Sequence, residues 1–282
     1  LLIPSSVTFI GNEAFQGCSS LTEILIPSSV KSIGNKVFFE CTSLTKISIP
    51  SSIESFGNNI FDGIETLEIT GDIKSIPDEL FKGCSSLIQI SIPSSIISIG
   101  ESSFEGCSSL IKITIPPSVI SIGNSAFRDC PLLTNIIILS LTKIESMTFQ
   151  GCSSLTDIII PSTVEQIVIN SFSNITEISI DPYKTKFEGN CFHSIEHLII
   201  IGSTNELVDN RELYQKAKKI TIPNGITTIK SSVFKYLSLL EEIVIPQSVS
   251  LIENKAFRNC INLTHIHIPS SVIQIGRKAF YN

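Results

Sequence analysis

The chain has 282 residues, of which 16% are charged, and its formal net charge is −6. An acidic chain without a run of Lys or Arg is a poor partner for nucleic acid or an anionic membrane surface, so we exclude both as main partners. No apolar stretch approaches the ~18 residues of a membrane span, and we expect no membrane insertion. The mean hydropathy is +0.34, and the repeat described next explains this apolar balance.

One sequence line recurs thirteen times along the chain, at intervals of about 23 residues. In its fullest form it reads L-T-x-I-x-I-P-S-S-V-x-S-I-G-x-x-A-F-x-G-C-S-S. A period of this length is typical of solenoids, in which each turn packs on its neighbours and adds apolar side chains to one continuous core. Both ends of the chain lie inside a copy, so we expect a fragment that forms a single solenoid domain over residues 1–282.

The first element of each copy is a short strand. The segment L-x-x-I-x-I, as in Leu21–Ile26, alternates apolar with polar positions and is rich in β-branched residues. Proline follows it in most copies and ends it, because proline has no backbone N–H to donate. A second extended piece, V-x-S-I, lies on another face. We therefore predict a β-rich solenoid of about 13 turns of roughly 20–23 residues, curved, with a parallel β-sheet face.

Glycine follows the second extended piece in six turns, as at Gly34 and Gly100. Pro77 takes the same slot in another turn, and proline cannot adopt a positive φ. The slot therefore selects glycine because space is short there, and it is not a phosphate-binding loop.

Two further columns account for most aromatic residues and cysteines. Twelve of the 16 Phe residues occupy one slot, and Leu213 fills that slot in the remaining turn. Seven of the eight Cys residues lie three positions later, where Leu237 stands in another turn. A slot that accepts Leu is a small apolar site, and stacked slots point their sulfurs the same way. We therefore predict buried free thiols without disulfides.

The run I-P-S-S-V-x-S-I-G-x-x-A-F-x-G-C-S-S-L, seen in Ile92–Leu110, closely resembles the BspA-like, Treponema-type class of leucine-rich repeats. The resemblance covers essentially the whole chain. It implies a curved solenoid and, as in characterised members, adhesion to host proteins or cells. It implies a function much less specifically than a fold, because one repeat class serves many partners, and some relatives are intracellular.

No motif in the sequence carries chemistry. Nucleophile, dinucleotide and Walker motifs are lacking, and the Asp and Glu residues are scattered without a convergent pair. His265 and His267 alternate on one strand as a metal pair would, but no third ligand is evident. We therefore expect no enzyme activity, no cofactor and no metal.

A candidate binding surface lies on the outward columns of the predicted sheet. In one column Ile137, Ile159 and Ile199 stand where small polar residues dominate elsewhere. An exposed apolar cluster bordered by polar residues is typical of a contact site, whereas single β-formers are also tolerated on a strand.

The repeat is least regular between Phe172 and Leu213. Asp181–Asn190 and Asn205–Lys219 are the most charged stretches there, and they contain Tyr183 and Tyr214. Departures from a repeat are where individual recognition is built, although drift in a tolerant solenoid is the alternative. The predicted partner-binding residues are Asn135, Ile137, Asp157, Ile159, Tyr183, His197, Ile199 and Tyr214.

Our first hypothesis is a non-enzymatic, surface or adhesion-type solenoid that recognises host or matrix macromolecules through its exposed sheet, at the cell surface or secreted. The alternative is an intracellular protein–protein interaction scaffold or regulatory subunit of a signalling enzyme, in the cytoplasm or nucleus. Abundant unpaired thiols favour a reducing compartment. The glycosylation sequons at Asn174 and Asn262 matter only if the chain is secreted.

Overall fold

The computed structural model describes residues 1–193, 195–202 and 206–282. Short strands dominate these residues. The strands of the first half are β1 (Phe9–Ile10), β2 (Glu23–Leu25), β3 (Ser32–Ile33), β4 (Lys46–Ser48), β5 (Ser55–Phe56), β6 (Thr66–Thr70), β7 (Ser75–Ile76), β8 (Gln89–Ser91), β9 (Ser98–Ile99), β10 (Lys112–Thr114), β11 (Ser121–Ile122) and β12 (Asn135–Ile137). The elements that follow are β13 (Lys143–Ile144), β14 (Asp157–Ile159), β15 (Gln166–Val168), β16 (Glu177–Ile180), β17 (Lys186–Glu188), β18 (Ile195–Ile200), α1 (Arg211–Tyr214), β19 (Ala217–Thr221), β20 (Thr228–Ile229), β21 (Glu242–Val244), β22 (Leu251–Ile252), β23 (His265–His267) and β24 (Gln274–Ile275).

The chain divides into two compact units. Unit 1 consists of Leu1–Thr156, Gln166–Asn174 and Glu188–Cys191, and unit 2 consists of Asp157–Glu165, Ile175–Phe187 and Phe192–Asn282. The assignment of residues 1–282 to a single domain stays a prediction.

Each unit carries one six-stranded parallel sheet built from the first strand of every copy. The order in unit 1 is β12-β10-β8-β6-β4-β2, and the order in unit 2 is β14-β16-β18-β19-β21-β23. Equivalent positions pair, as Ile113 does with Ile136, so each repeat contributes one strand to the ladder. The prediction of a β-rich solenoid with a parallel sheet face is thereby confirmed.

The second extended piece of the repeat forms its own short parallel ladders. In unit 1 they join β1-β3-β5, β11-β9-β7 and β13 with β15, and in unit 2 they join β20-β22-β24. The solenoid has about 11 turns, slightly fewer than the thirteen predicted. Among the described residues the main sheets hold twelve strands, and the first copy adds only an isolated bridge, between Leu2 and Leu25.

The phenylalanine column forms the centre of the core. In unit 1 the rings from Phe15 to Phe172 stack with centroids 5.0 to 5.8 Å apart and planes inclined by 23° or less. In unit 2, Phe257 lies 5.3 Å from Phe234 and 5.0 Å from Phe280. Offset stacks of this kind add to the free energy of burying each ring.

Tyr214 corrects one assignment in this column. Its ring is fully buried and lies 5.2 Å from the Phe234 ring, tilted by 52°. Leu213, which the sequence assigned to the aromatic slot, is also buried. The short helix α1 replaces the usual loop in this turn, and its backbone carries the tyrosine ring into the aromatic stack.

The buried thiols follow the same column. All eight cysteines are free, and all except Cys18 are buried. The Cys107 Sγ donates to the carbonyl of Phe81 at 3.1 Å, and the Cys260 Sγ donates to that of Phe234 at 2.9 Å. The prediction of free thiols is confirmed. The prediction that they are buried is wrong for Cys18, the first cysteine of the chain. The slot is more than an apolar hole, because the thiol satisfies a buried carbonyl.

The crowded glycine slot is confirmed. A Cβ added to Gly100 would lie 2.5 Å from the backbone N of Asp78, and one added to Gly57 would lie 2.4 Å from the carbonyl carbon of Gly34. Neither glycine has a positive φ. The left-handed residues lie elsewhere in the turn, two positions before and two after the phenylalanine, as at Ser102 (φ 51°) and Gly106 (φ 73°) on either side of Phe104.

Candidate protein-binding face

The outward side of the unit 2 sheet presents two columns of side chains. The ladder pairs Glu177 with His197, His197 with Lys219, and Lys219 with Glu242. The neighbouring column runs through Ile159, Ser179, Ile199, Thr221, Val244 and His267. The residues between these columns, such as Ile178 and Leu198, are fully buried. The face is therefore polar in one column and mixed in the other.

His197 is held in place by two hydrogen bonds across the sheet. Its Nδ1 lies 3.0 Å from the Glu177 carboxylate, and its Nε2 lies 2.8 Å from the Thr221 hydroxyl. Only 25% of the His197 side chain is exposed. Side chains from three strands thus form one polar network, which fixes the orientation of the imidazole.

Carboxylate, imidazole and hydroxyl in this order also form the geometry of a nucleophilic triad. Such a triad needs N–H donors that stabilise an oxyanion. The strands that carry these three side chains each lie between two neighbours, so their backbone N–H groups are engaged in parallel ladders. What the structure shows is a hydrogen-bonded network of three side chains across β16, β18 and β19.

Ile159 is the most exposed apolar side chain of this face, at 68%. Ile199 is half-buried, and Ser179 lies between the two in the ladder. Val244 is 39% exposed two strands beyond Ile199. The apolar cluster predicted in this column is consequently a series of separate anchors with small polar residues between them.

A shallow groove of about 410 Å³ lies over the last two strands of the same sheet, lined by Glu242, Val244, Thr264, His265 and His267 among others. Within the described residues no group of three His, Cys, Asp or Glu side chains could hold a metal ion. Next to the groove, Lys219 on β19 forms an ion pair with Glu242 at 3.0 Å.

The other predicted sheet residues lie on strands of different units. Asn135 and Ile137 lie on β12 of unit 1, opposite Lys112 and Thr114, and Ile137 is 51% exposed. Asp157 is exposed on β14 of unit 2. The sequence alone did not separate these positions into two units.

The two tyrosines of the irregular region differ. Tyr183 is half-buried, and its backbone N–H donates to Asp181. Tyr214 is 0% exposed and donates its hydroxyl to the carbonyl of Val208 at 2.9 Å, so the prediction of a surface contact there is wrong. Burial raises the pKa of the Tyr214 hydroxyl. Asn205, at the start of the second charged stretch, lies outside the described residues.

A second surface lies outside the sheet, and the sequence pattern did not indicate it. The loops at residues 230–236, 253–259 and 276–282 of unit 2 stack on one another through Phe234, Phe257 and Phe280. We call them the cationic loop stack, because they carry six Lys or Arg side chains and one Glu. The three loops are about one repeat apart in sequence, so no long run of basic residues marks them. Only an alignment of the repeat copies, with charge counted over this loop segment, could have revealed them.

Two further predictions concern the environment of the chain. The sequon residues Asn174 and Asn262 are both exposed, and the side-chain amide of Asn262 donates to the carbonyl of Ser238 at 2.7 Å. Among the residues that the structure describes, no helix has the length and apolarity that crossing a membrane requires.

Comparison with known proteins places the repeat in a family. The model of the BspA type leucine rich repeat region matches residues 1–70, 74–199 and 174–282. No curated protein matches the chain. The chain is similar in structure to a leucine-rich repeat protein from Bacteroides ovatus, with 24% identity, a TM-score of 0.54, and coverage of 92% of this chain and 84% of that one.

Two further solved structures have a similar sequence identity to this chain. One is a leucine rich cell surface protein from Faecalibacterium prausnitzii, with 25% identity, a TM-score of 0.37, and coverage of 93% and 83% of the two chains. The other is a leucine rich repeat protein of T. pallidum, with 20% identity, a TM-score of 0.35, and coverage of 90% and 82%. Since the family model spans nearly every copy of the repeat, the chain belongs to the BspA-type leucine-rich repeat proteins.

Proposed function

We propose that the chain is a non-enzymatic protein-binding solenoid of the adhesion type, which recognises host or matrix proteins through the outward face of its sheet. The observation that carries this proposal is the pairing of exposed anchors with a fixed polar network on unit 2. Ile159 stands 68% exposed, two strands away from the hydrogen-bonded His197. Apolar anchors that polar contacts surround are the usual composition of a protein interface.

A cell-surface location follows from the resemblance to adhesion-type relatives and is part of the same proposal. The unpaired thiols do not oppose it. Burial raises the pKa of Cys107 to about 12 and raises the pKa of Cys260 as well, so little reactive thiolate forms at neutral pH. The seven buried thiols therefore do not favour the intracellular scaffold over the surface protein, whereas Cys18 is exposed.

Substitution of the face tests the function. We expect the double variant Ile159→Asp with His197→Asp to lose binding to immobilised host matrix proteins and to host cells, because it removes an anchor and the network beside it. The matched control is Ile120→Asp, an exposed isoleucine (58%) that precedes β11 and lies outside the sheet. Retained binding by the double variant, or equal loss in the control, would contradict the proposal.

Cell fractionation tests the location independently. Surface biotinylation of intact cells should label the protein, and a label confined to lysed cells would support the scaffold alternative.

A further inference from the structure

We propose that the cationic loop stack of unit 2 is a second docking surface and that it binds an acidic segment of a protein partner. The stack lies at a different position of the repeat from the sheet face, so this inference goes beyond the function proposed above. Three observations support it: the excess of positive charge, the lack of internal ion pairs, and two half-exposed tyrosines held between cations.

The charge of the stack is concentrated within three consecutive turns. Six side chains are cationic, namely Lys230, Lys235, Lys255, Arg258, Arg277 and Lys278, against the single carboxylate of Glu253. The whole chain has a net charge of −6, so the stack has the opposite sign to the rest of the surface. Adjacent turns lie about 5 Å apart, as Phe257 and Phe280 do at 5.0 Å. A positive field of this kind attracts an extended acidic chain.

Five of the six cations of the stack are not neutralised within the described part of the chain. Lys230 alone forms an ion pair, with Glu206, and the Glu253 carboxylate is occupied by the backbone N–H of Ser231 at 2.8 Å. None of the remaining five cations has a carboxylate within 4.0 Å among the described residues. Unneutralised charge at short spacing destabilises the folded chain, and an anionic partner would remove that cost.

Two half-exposed tyrosine rings of the stack are in contact with cations. Tyr236 is 48% exposed, and the Lys235 ammonium lies 4.4 Å from its ring centroid. The Arg211 guanidinium lies 5.8 Å from the same centroid and donates to the carbonyl of Lys235 at 3.0 Å.

The next turns repeat this arrangement. Tyr281 is 50% exposed, with Lys278 at 5.0 Å and Arg258 at 5.7 Å from its ring. Backbone bonds fix the spacing, since the N–H of Tyr236 donates to the carbonyl of Arg258 at 2.9 Å. Three of the six cations of the stack, Lys235, Arg258 and Lys278, are thus held over tyrosine rings.

A protein segment is the occupant that this composition favours. Tyrosine and arginine are among the residues most enriched at interface hot spots, and arginine clusters recognise acidic motifs by paired hydrogen bonds. A surface that only attracted phosphate or sulfate would need the cations alone.

Fluorescence anisotropy with a short labelled peptide of alternating Glu and Tyr tests the proposal. The full chain should bind this peptide, and the triple variant Lys235→Glu, Arg258→Glu, Lys278→Glu should bind about tenfold more weakly or worse. The matched control carries Lys31→Glu, Lys74→Glu and Lys112→Glu, which change the net charge equally on unit 1; it should retain most of the affinity. Circular dichroism confirms that each variant folds.

The double variant Tyr236→Ala with Tyr281→Ala separates recognition from simple attraction. It leaves the charge unchanged and should still weaken peptide binding several-fold, because truncating a hot-spot aromatic residue reduces affinity. The sheet variant Ile159→Asp with His197→Asp should bind the peptide normally, so failure of the sheet proposal and failure of this one give different results.

Four outcomes would overturn the proposal. They are an unchanged affinity in the triple variant; unchanged affinity in the tyrosine variant; tighter binding of a heparin oligosaccharide or an oligothymidylate of equal charge; and salt-sensitive self-association that the triple variant abolishes, which would make a second copy of the chain the occupant.

Discussion

Two stacks of loops on this chain lie at the same positions of the repeat but differ in the charge of their exposed side chains. The acidic loop stack of unit 1 comprises residues 77–83, 100–106 and 123–129, and it carries five Asp or Glu and two Lys or Arg side chains. The cationic loop stack of unit 2 carries one Glu and six Lys or Arg at the same repeat positions. Both enclose stacked phenylalanines, as Phe81 and Phe104 at 5.1 Å and Phe234 and Phe257 at 5.3 Å show.

The difference between the stacks lies in how charge is compensated. In unit 1, Lys82 contacts Glu79 at 2.7 Å and Glu105 at 3.3 Å, and Arg128 contacts Asp129 at 3.4 Å. In unit 2 the equivalent cations, Lys235 and Arg258, lie over tyrosine rings. The repeat therefore specifies the interior of each turn, whereas the charge on the exterior of the loops differs between the two units.

Thiol reactivity should show the largest effect and tests whether the two interiors are equivalent. Cys107 in unit 1 and Cys260 in unit 2 should react with iodoacetamide at pH 8 more than ~100-fold more slowly than Cys18, because burial raises their pKa and the thiolate is the reactive form. Mass spectrometry of timed samples measures the rates, and all eight thiols should react in denaturant. Fast labelling of either buried thiol would show that its turn opens.

Core truncation gives the largest change in stability. Phe104→Ala and Phe257→Ala should each lower the free energy of unfolding by about 3–5 kcal/mol, because each deletes a buried ring between two others. Urea unfolding followed by circular dichroism measures both. A loss below about 1 kcal/mol in one unit only would break the equivalence of the two interiors.

The slot before the phenylalanine distinguishes turns with glycine from turns with a larger residue. Gly100→Ala should destabilise the chain by about 1–3 kcal/mol, because the new Cβ would meet the backbone of Asp78 and the turns must separate. Glu253 fills the same slot in unit 2, and Glu253→Ala should cost less than about 1 kcal/mol. Equal losses in thermal melts would contradict the steric explanation.

The left-handed position after phenylalanine predicts changes of opposite sign. Asn259 has a φ of 59°, so Asn259→Gly should stabilise by about 0.5–1 kcal/mol. Gly106 has a φ of 73° and its missing Cβ would touch nothing closer than 3.8 Å, so Gly106→Ala should cost about 1 kcal/mol through the backbone alone. Changes of the same sign in urea unfolding would refute the assignment.

Charge compensation should give the smallest effect. Lys82→Gln should lower stability by less than about 1 kcal/mol and only at low salt, whereas Lys255→Gln in the cationic stack should not lower it. The hydrogen bond to Glu79 raises the pKa of Lys82 above its ordinary 10.5. The contribution is therefore complete below pH 10.5 and is lost as pH rises through the raised pKa, which thermal melts at high pH would detect.

Much of the fold was predictable because every copy repeats the same constraints. Alternation in Leu21–Ile26 predicted strand β2, and the recurring Phe column predicted the aromatic stack. Prediction failed where a turn departs from the repeat. Tyr214 was assigned to the surface because its stretch is charged, but α1 shifts the backbone and turns the ring inward.

The candidate site was predictable only in part. Periodicity placed Ile159, Ile199 and His197 on the outward face of β14 and β18, where the structure has them. The bonds from His197 to Glu177 and Thr221 were not predictable, since they depend on side-chain rotamers across three strands. The assignment of Ile137 to unit 1 was also not predictable, because every copy shares the same pattern.

The amino-acid sequence by itself determined the repeat, its strands, its aromatic and thiol columns, and the steric demand for glycine in one slot. These follow from local rules that each copy obeys alone. Only the tertiary structure decided which residues from different copies become neighbours: the His197 network, the burial of Tyr214, and the assembly of cations from three copies into one loop stack. The physical reason is that stacking brings residues one repeat apart to within about 5 Å, a proximity that no single copy encodes.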